Sequence, residues 1–420
     1  MKTNETTPIP QGYKATPLGI IPQEWKIMPL YEAFHLQSGY AFKSEFFSTD
    51  QGIPIVRISN LPINNKYIDL SDCVYYPASE NIKQQFIVHK KDLLIAMSGA
   101  TTGKTAIYNY AFNAYLNQRV GVFKQTSDKV CYQYLQTIVE SQLFTTKLQP
   151  LLIAGAQPNI SPSDIENMTF PFPPLKEQQK IAEVLGVWDK AIEKQSQLIE
   201  QLTLRKRGLM QQLLTAKRRL PGFSGPWKVC VIQQLFTPVT TVNDGKPHLP
   251  MTISAKLGLI SQQNKFDRVI AGDSLEKYTL IRYGDFAYNK GNSNLYEMGC
   301  IYQLKEESAL VPFVYICFRA KEFVCGDFYR QYFLNHGLDR QLKRIITSGA
   351  RGDGLLNVDK KDFFSLQIMY PSFEEQTAIA QVLTAADREI ELAQQKLELL
   401  RQQKRGLMQQ LLTGKKRVKY

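Results

Sequence analysis

One string of ten residues occurs twice in this chain, and it constrains the fold more than any other feature. Lys206-Arg-Gly-Leu-Met-Gln-Gln-Leu-Leu-Thr215 returns as Lys404-Arg-Gly-Leu-Met-Gln-Gln-Leu-Leu-Thr413, 198 positions later. The correspondence runs backwards without a gap: Glu177-Gln178 matches Glu375-Gln376, Val184-Leu185 matches Val382-Leu383, Asp189 matches Asp387 and Ile192 matches Ile390. Identity of this length identifies a duplicated element, and a repeat sets the architecture before any other reading begins.

Each copy reads as a long helix. Apolar positions step by three and four through Leu185, Trp188, Ile192, Ile199, Leu202, Leu209 and Leu213, with Gln195 and Lys206 on the same line. The second copy runs through Leu383, Ala386, Ile390, Ala393, Leu397, Leu400, Lys404, Leu407 and Leu411. Such spacing, held over several heptads, is the seam of a coiled coil. About 42 residues at 1.5 Å each make a rod of roughly 60 Å. Two rods in one chain can bury both seams against each other, and a lysine in each seam would fix their register. Gly208 and Gly406 interrupt good helix formers at a cost of about 1 kcal/mol. Their repetition suggests close backbone approach, between the rods or to a partner protein. These seam positions and the two glycines are the candidate helix-contact and partner-docking surfaces.

The rods divide the chain into an N-terminal arm and first domain (1–172), a central helical spacer (173–219), a second domain (220–370) and a C-terminal spacer (371–420). Short apolar runs at Ile53–Ile58, Asp92–Met97 and Arg119–Phe123 read as strands, and Tyr132–Leu148 has helical spacing. Pro173-Pro174 closes the first domain. The entry Pro221-Gly-Phe-Ser-Gly-Pro-Trp227 echoes Gly19-Ile-Ile-Pro-Gln-Glu-Trp25, and Tyr283–Gly291 echoes Lys91–Gly99. Elsewhere the two domains share little sequence. The fold class is α+β: two globular α/β domains with two long helices and an internal repeat.

Catalytic motifs fail on spacing. Ser98-Gly-Ala-Thr-Thr-Gly-Lys-Thr105 resembles a phosphate-binding loop but places three residues between Gly99 and Gly103 where four are needed. Phe172-Pro-Pro-Leu175 lacks the polar residue of an amino-methyltransferase motif. The four histidines (His35, His89, His248, His336) and six scattered cysteines form no metal or disulfide pattern. No apolar run reaches the roughly 20 residues that span a bilayer, and Met1–Pro10 lacks the apolar core of a signal peptide. A cytoplasmic chain with no metal and no catalytic residue of its own is expected.

Charge points to a polyanion. The net charge is +13. It is spread out: ten Lys/Arg against five Asp/Glu over 173–219, and nine against six over 371–420. Nucleic acid is the common partner of such a chain. The loop after the first strand motif offers Ser98, Thr101, Thr102 and Lys104. A later segment offers Gln157 and Asn159. In the second domain the counterparts are Lys290, Asn292, Ser293 and Asn294, then Arg351 and Asn357. Lys43 is a further candidate. Asn and Gln suit adenine, Arg suits guanine and Ser/Thr serve either. The plain alternative is that these are ordinary turns, where the same residue types are favoured for backbone reasons.

The entry motif at 19–25, Gln157-Pro-Asn-Ile-Ser-Pro-Ser-Asp-Ile165 running into Phe170-Pro-Phe-Pro-Pro-Leu-Lys-Glu-Gln178, the repeated string and Pro221–Trp227 together resemble the specificity subunit of type I restriction–modification systems. Arg351-Gly-Asp-Gly-Leu355 and Pro371-Ser372 depart from the first copy. The resemblance implies two target recognition domains, each reading half of a split site in double-stranded DNA, held apart by two antiparallel helices. It also implies docking of two methyltransferase subunits that bind S-adenosylmethionine, and association with restriction/translocase subunits that use ATP and magnesium. A stand-alone enzyme or a coiled-coil adaptor without DNA reading are the competing classes.

Overall fold

The computed structural model describes residues 9–62, 66–80, 82–153, 159–263, 272–291, 295–346 and 356–419. Its compact units differ from the segments drawn in sequence. One unit combines residues 1–195 with 396–420, and the other is 196–395. Each contains one domain, the near half of one rod and the far half of the other.

Both rods form. They span Leu175–Leu213 and Phe373–Leu412 as unbroken helices. Tandem prolines precede the first, and both end on a residue in left-handed conformation, Ala216 (φ 58°) and Gly414 (φ 69°). Within the first unit, Asp189 pairs with Lys404 and Glu177 with Arg417, so the two helix segments run antiparallel. The second unit repeats this with Lys206–Asp387 and Arg219–Glu375. The stripe through Leu185, Gln195 and Leu213, and through Leu383, Ala386, Ala393, Lys404 and Leu411, is buried. Between those positions Ile192, Ile199, Leu202, Leu209, Ile390, Leu397, Leu400 and Leu407 are half-buried.

The glycines need correction. A Cβ placed on Gly208 or Gly406 meets nothing within 4 Å. Neither marks close approach among the described residues; Gly406 is exposed and Gly208 half-buried, each with open space beyond its Cα.

In the first unit, one four-stranded sheet has the order Phe34–Ser38, Val120–Gln125, Leu93–Ala96, Thr105–Ile107. A second has the order Val74–Tyr76, Ile53–Val56, Ala114–Leu116, Ile87–Val88, its middle pair parallel. The run Leu93–Ala96 is buried at all four positions because both faces are covered. Leu93 and Ile95 join the core around Trp25, while Leu94 and Ala96 join a second core with Val56 and Val88. The expected helix 132–148 is two, Tyr132–Val139 and Gln142–Ile153. At the break, the Ser141 hydroxyl donates to the Ile138 carbonyl at 2.6 Å, competing with the helical ladder.

The second unit has the same plan. Phe236–Pro238, Ile316–Ala320, Phe286–Asn289 and Cys300–Gln303 repeat the first sheet. Gly258–Ser261, Leu249–Ser254, Ser308–Val311 and Thr279–Arg282 repeat the second, parallel pair included. A small sheet closes each domain at the start of its rod, Lys26–Pro29 with Thr169–Phe172 and Lys228–Val231 with Gln367–Tyr370. The duplication therefore extends through the domains whose sequences diverge.

Candidate nucleic-acid interface

Residues 97–104 form the turn of a hairpin. Ala96 and Lys104 face each other through their backbone groups, and strand Thr105–Ile107 follows. A phosphate-wrapping loop would feed a helix; this one feeds a strand, which removes the nucleotide-binding reading on geometry as well as spacing. Thr102 is buried and its hydroxyl donates to the Gly99 carbonyl at 2.6 Å. Thr101 donates to the Ile58 carbonyl at 3.2 Å. In this conformation both hydroxyls build the loop, so the expectation that they face a base needs correcting. Lys104 and Lys43 are exposed, and Ser98 is half-buried with its hydroxyl oxygen unpartnered.

The structure joins segments that the sequence only lists. Ser98 forms a β-bridge with Asn159, and the Ile160 amide donates to the Met97 carbonyl at 2.8 Å. In the second domain the Leu356 amide donates to the Lys290 carbonyl at 2.9 Å. Met97 and Lys290 each follow the equivalent central strand, so both domains pin their late polar segment to the same loop. Asn159 and Asn357 are exposed there, and Lys290 is half-buried, its Nζ 3.4 Å from the Val358 carbonyl. Gln157, Asn292, Ser293, Asn294 and Arg351 lie outside the described residues.

The Glu-Gln pair of the repeat is a buried clamp, a role the sequence did not disclose. Glu177 is fully buried and accepts from Trp25 Nε1 at 3.0 Å and from Arg417 Nε and Nη2 at 2.6 and 2.8 Å. Glu375 accepts from Trp227 Nε1 and Arg219 in the same manner, at 3.0, 2.5 and 2.6 Å. Each guanidinium also lies over its indole ring. Gln178 accepts from the Cys131 amide, at the start of helix Tyr132–Val139, and donates to the Pro173 carbonyl. Gln376 does the same with Cys325 and Pro371. Arg219 and Arg417, which end the basic runs Lys217-Arg218-Arg219 and Lys415-Lys416-Arg417 after each rod, are thus held internally and are not spare charge for a polyanion. The signal available in sequence was the co-occurrence of Trp, Glu-Gln and Arg in both halves.

The seam lysines also close charge networks. Lys404 and Lys66 each contact both Glu140 and Asp189, at 2.5–2.9 Å, a ring of alternating charges. Burial alone would lower Lys66; the carboxylates of Glu140 and Asp189 outweigh it and hold its ammonium above the usual lysine range. In the second unit Lys206 meets Asp387, which also accepts from Gln331 at 2.6 Å. Among the described residues no three His, Cys, Asp or Glu gather as a metal site, and no helix is long and apolar enough to cross a membrane.

Two domains of one topology, carried on duplicated antiparallel rods and bearing different loops, define a tandem recognition scaffold. The profile of the type I restriction modification DNA specificity domain matches residues 22–204 and again 265–402. The chain belongs to that family. The MjaVIII specificity subunit of Methanocaldococcus jannaschii is 31% identical over 220 residues, covering 51% of each chain, so that match spans about half of the relative. The putative MjaX specificity subunit of the same organism is 26% identical over 97% of both chains. In fold, the chain is similar to the crystal structure of a type I restriction–modification S subunit from M. genitalium. The TM-score is 0.53 at 14% identity, covering 92% of this chain and 96% of that one. The first family match takes in a domain and most of the rod that follows it, and the second takes in the later part of its domain, from residue 265, with most of its rod, whereas each folded unit borrows half a rod from the other repeat.

Proposed function

We propose that this chain recognises a bipartite site in double-stranded DNA, one half with each domain, as the non-catalytic specificity subunit of a type I restriction–modification assembly. The observation that carries the reading is the conserved strand order of two domains whose exposed loops differ. A common framework with divergent faces suits two unlike half-sites. Phosphate contacts from a chain of net charge +13 would give affinity, and base-edge contacts from the loops would give sequence. The identical Lys-Arg-Gly-Leu-Met-Gln-Gln-Leu-Leu-Thr copies suit docking of two identical methyltransferase subunits. Those would bring S-adenosylmethionine, and the restriction/translocase subunits ATP and magnesium; this chain would hold no cofactor. The rods would set the unread spacer.

Exchange of residues 25–172 for those of another family member tests this, with methylated positions read by sequencing in the host. One half-site should change and the other persist. A change in both halves would refute the modular reading. Insertion of one helical turn near Gln195 should lengthen the spacer; an unchanged spacer would exclude the rods as its ruler.

A further inference from the structure

Next to the loop that ends at Lys104 lies a second turn, Asn117-Gln118-Arg119-Val120, which links the two sheets of the first domain. The backbone of this turn is held on every side. The Val120 amide donates to the Asn117 carbonyl at 2.9 Å and the Arg119 amide to Asn117 Oδ1 at 3.3 Å. Asn117 N bonds to the Val56 carbonyl, Gln118 N to the Tyr40 carbonyl, and the Arg119 carbonyl accepts from Met97 N at 2.9 Å. Gly39 lets the neighbouring strand end come this close: a Cβ there would sit 2.2 Å from the Leu116 and Asn117 carbonyl oxygens. The side chains of Gln118 and Arg119 are nevertheless exposed. Among the described residues neither makes an internal hydrogen bond or ion pair, unlike Arg417 and Arg219.

The second domain has the same turn with other chemistry. Ile95, two residues before Met97, pairs with Gly121 in the first domain, and Tyr288, two residues before Lys290, pairs with Ile316 in the second. The strand equivalence places Pro312-Phe313-Val314-Tyr315 where Asn117–Val120 stands, closed by the same bond, Tyr315 N to the Pro312 carbonyl at 3.0 Å. Phe313 takes the place of Gln118 and is 55% exposed. A pre-organised backbone that displays unpaired Gln and Arg in one domain and a bare phenyl ring in the other suits base edges of opposite character. Arg is bidentate to guanine and Gln to adenine, while an aromatic ring meets the thymine methyl.

Resting on the proposed DNA-reading role, we infer that this turn is a specificity-determining element in both domains. Arg119 and Gln118 read guanine and adenine in one half-site, and Phe313 meets a thymine methyl in the other. The Met97–Arg119 and Met97–Ile160 bonds put the first turn beside Asn159, so the two segments share one face.

The test uses the full chain assembled with its methyltransferase partner and a randomised double-stranded DNA library, sequenced after selection. Arg119→Ala should weaken preference for one guanine by roughly 5- to 150-fold and leave every position of the other half-site unchanged. Phe313→Ala should do the converse at a thymine. Arg119→Lys keeps charge and stem but loses the fork geometry, and is expected to relax the same guanine; it serves where Arg119→Ala lowers the melting temperature. If Arg119 variants keep the wild-type preference at all positions, or weaken binding equally on all sequences, the inference is overturned and Arg119 is at most a phosphate contact. A wild-type assembly with no sequence preference would overturn the DNA-reading role itself.

Discussion

Replacing Arg417 by alanine should destabilise the first unit although the residue lies three positions from the end of the chain. Its guanidinium holds the fully buried carboxylate of Glu177 through two hydrogen bonds of 2.6 and 2.8 Å, and it also pairs with Glu24. Removing it leaves Glu177, among the described residues, with only the Trp25 N–H as a side-chain partner. Breaking a buried pair from one side costs about 3–5 kcal/mol. A third of the Arg417 side chain is exposed, so water can partly replace it, and about 2–3 kcal/mol is the expected loss. For a unit of this size that is roughly 4–12 °C in melting temperature, read by scanning calorimetry. Some of the loss comes from the arginine stem that covers Trp25. A double-mutant cycle with Glu177→Gln isolates the charge contribution and should return a coupling of about 1–2 kcal/mol. Arg405→Ala removes an exposed pair with Glu398 and should stay within about 0.5 kcal/mol. An Arg417→Ala loss below 1 kcal/mol, or no coupling to Glu177, would refute the clamp.

Gly208→Ala and Gly406→Ala should each stabilise the isolated chain by about 0.5–1 kcal/mol, because both sit in helix with open space beyond the Cβ. If that face docks a partner, the same variants will weaken assembly with the methyltransferase, measured by titration of one against the other; unchanged assembly would remove the glycines from the docking surface. Ala216→Gly should stabilise by about 1 kcal/mol, since Ala216 adopts φ 58°. At the matching Gly414 the reverse change should destabilise, because a Cβ there would lie 2.3 Å from Pro22 Cδ. Lys66 is held above its ordinary value, so its contribution is complete below about pH 10.4 and declines as pH rises towards the folded value. The stability gap between wild type and Lys66→Met, from urea unfolding, should be constant from pH 7 to 9 and narrow in stronger alkali; a gap that widened there would contradict the charge ring.

The two rods, their seam and the duplication were legible in sequence because helical periodicity is local and the ten-residue identity needs no partner to be seen. The strands at 53, 93 and 120 were legible for the same reason, as short runs of branched apolar residues. The phosphate-loop resemblance failed on spacing, and its location in a hairpin turn agrees. What the sequence could not show is pairing. Glu177 and Arg417 are 240 residues apart, and nothing local distinguishes Arg417 from the two lysines before it. Gln118 and Arg119 are unremarkable letters between two strands until Gly39, Val56 and Met97 converge on them.

The sequence by itself determined a chain of two domains alternating with two rods, a basic charge and a family. Tertiary structure decided which halves fold together. Each domain is completed by the end of the other repeat's rod, because antiparallel packing brings Lys404 to Asp189 and Lys206 to Asp387. It also decided that two domains with little common sequence share one strand order. Burial on both faces of the central strands asks only for apolar side chains of suitable size, and many sequences meet that demand.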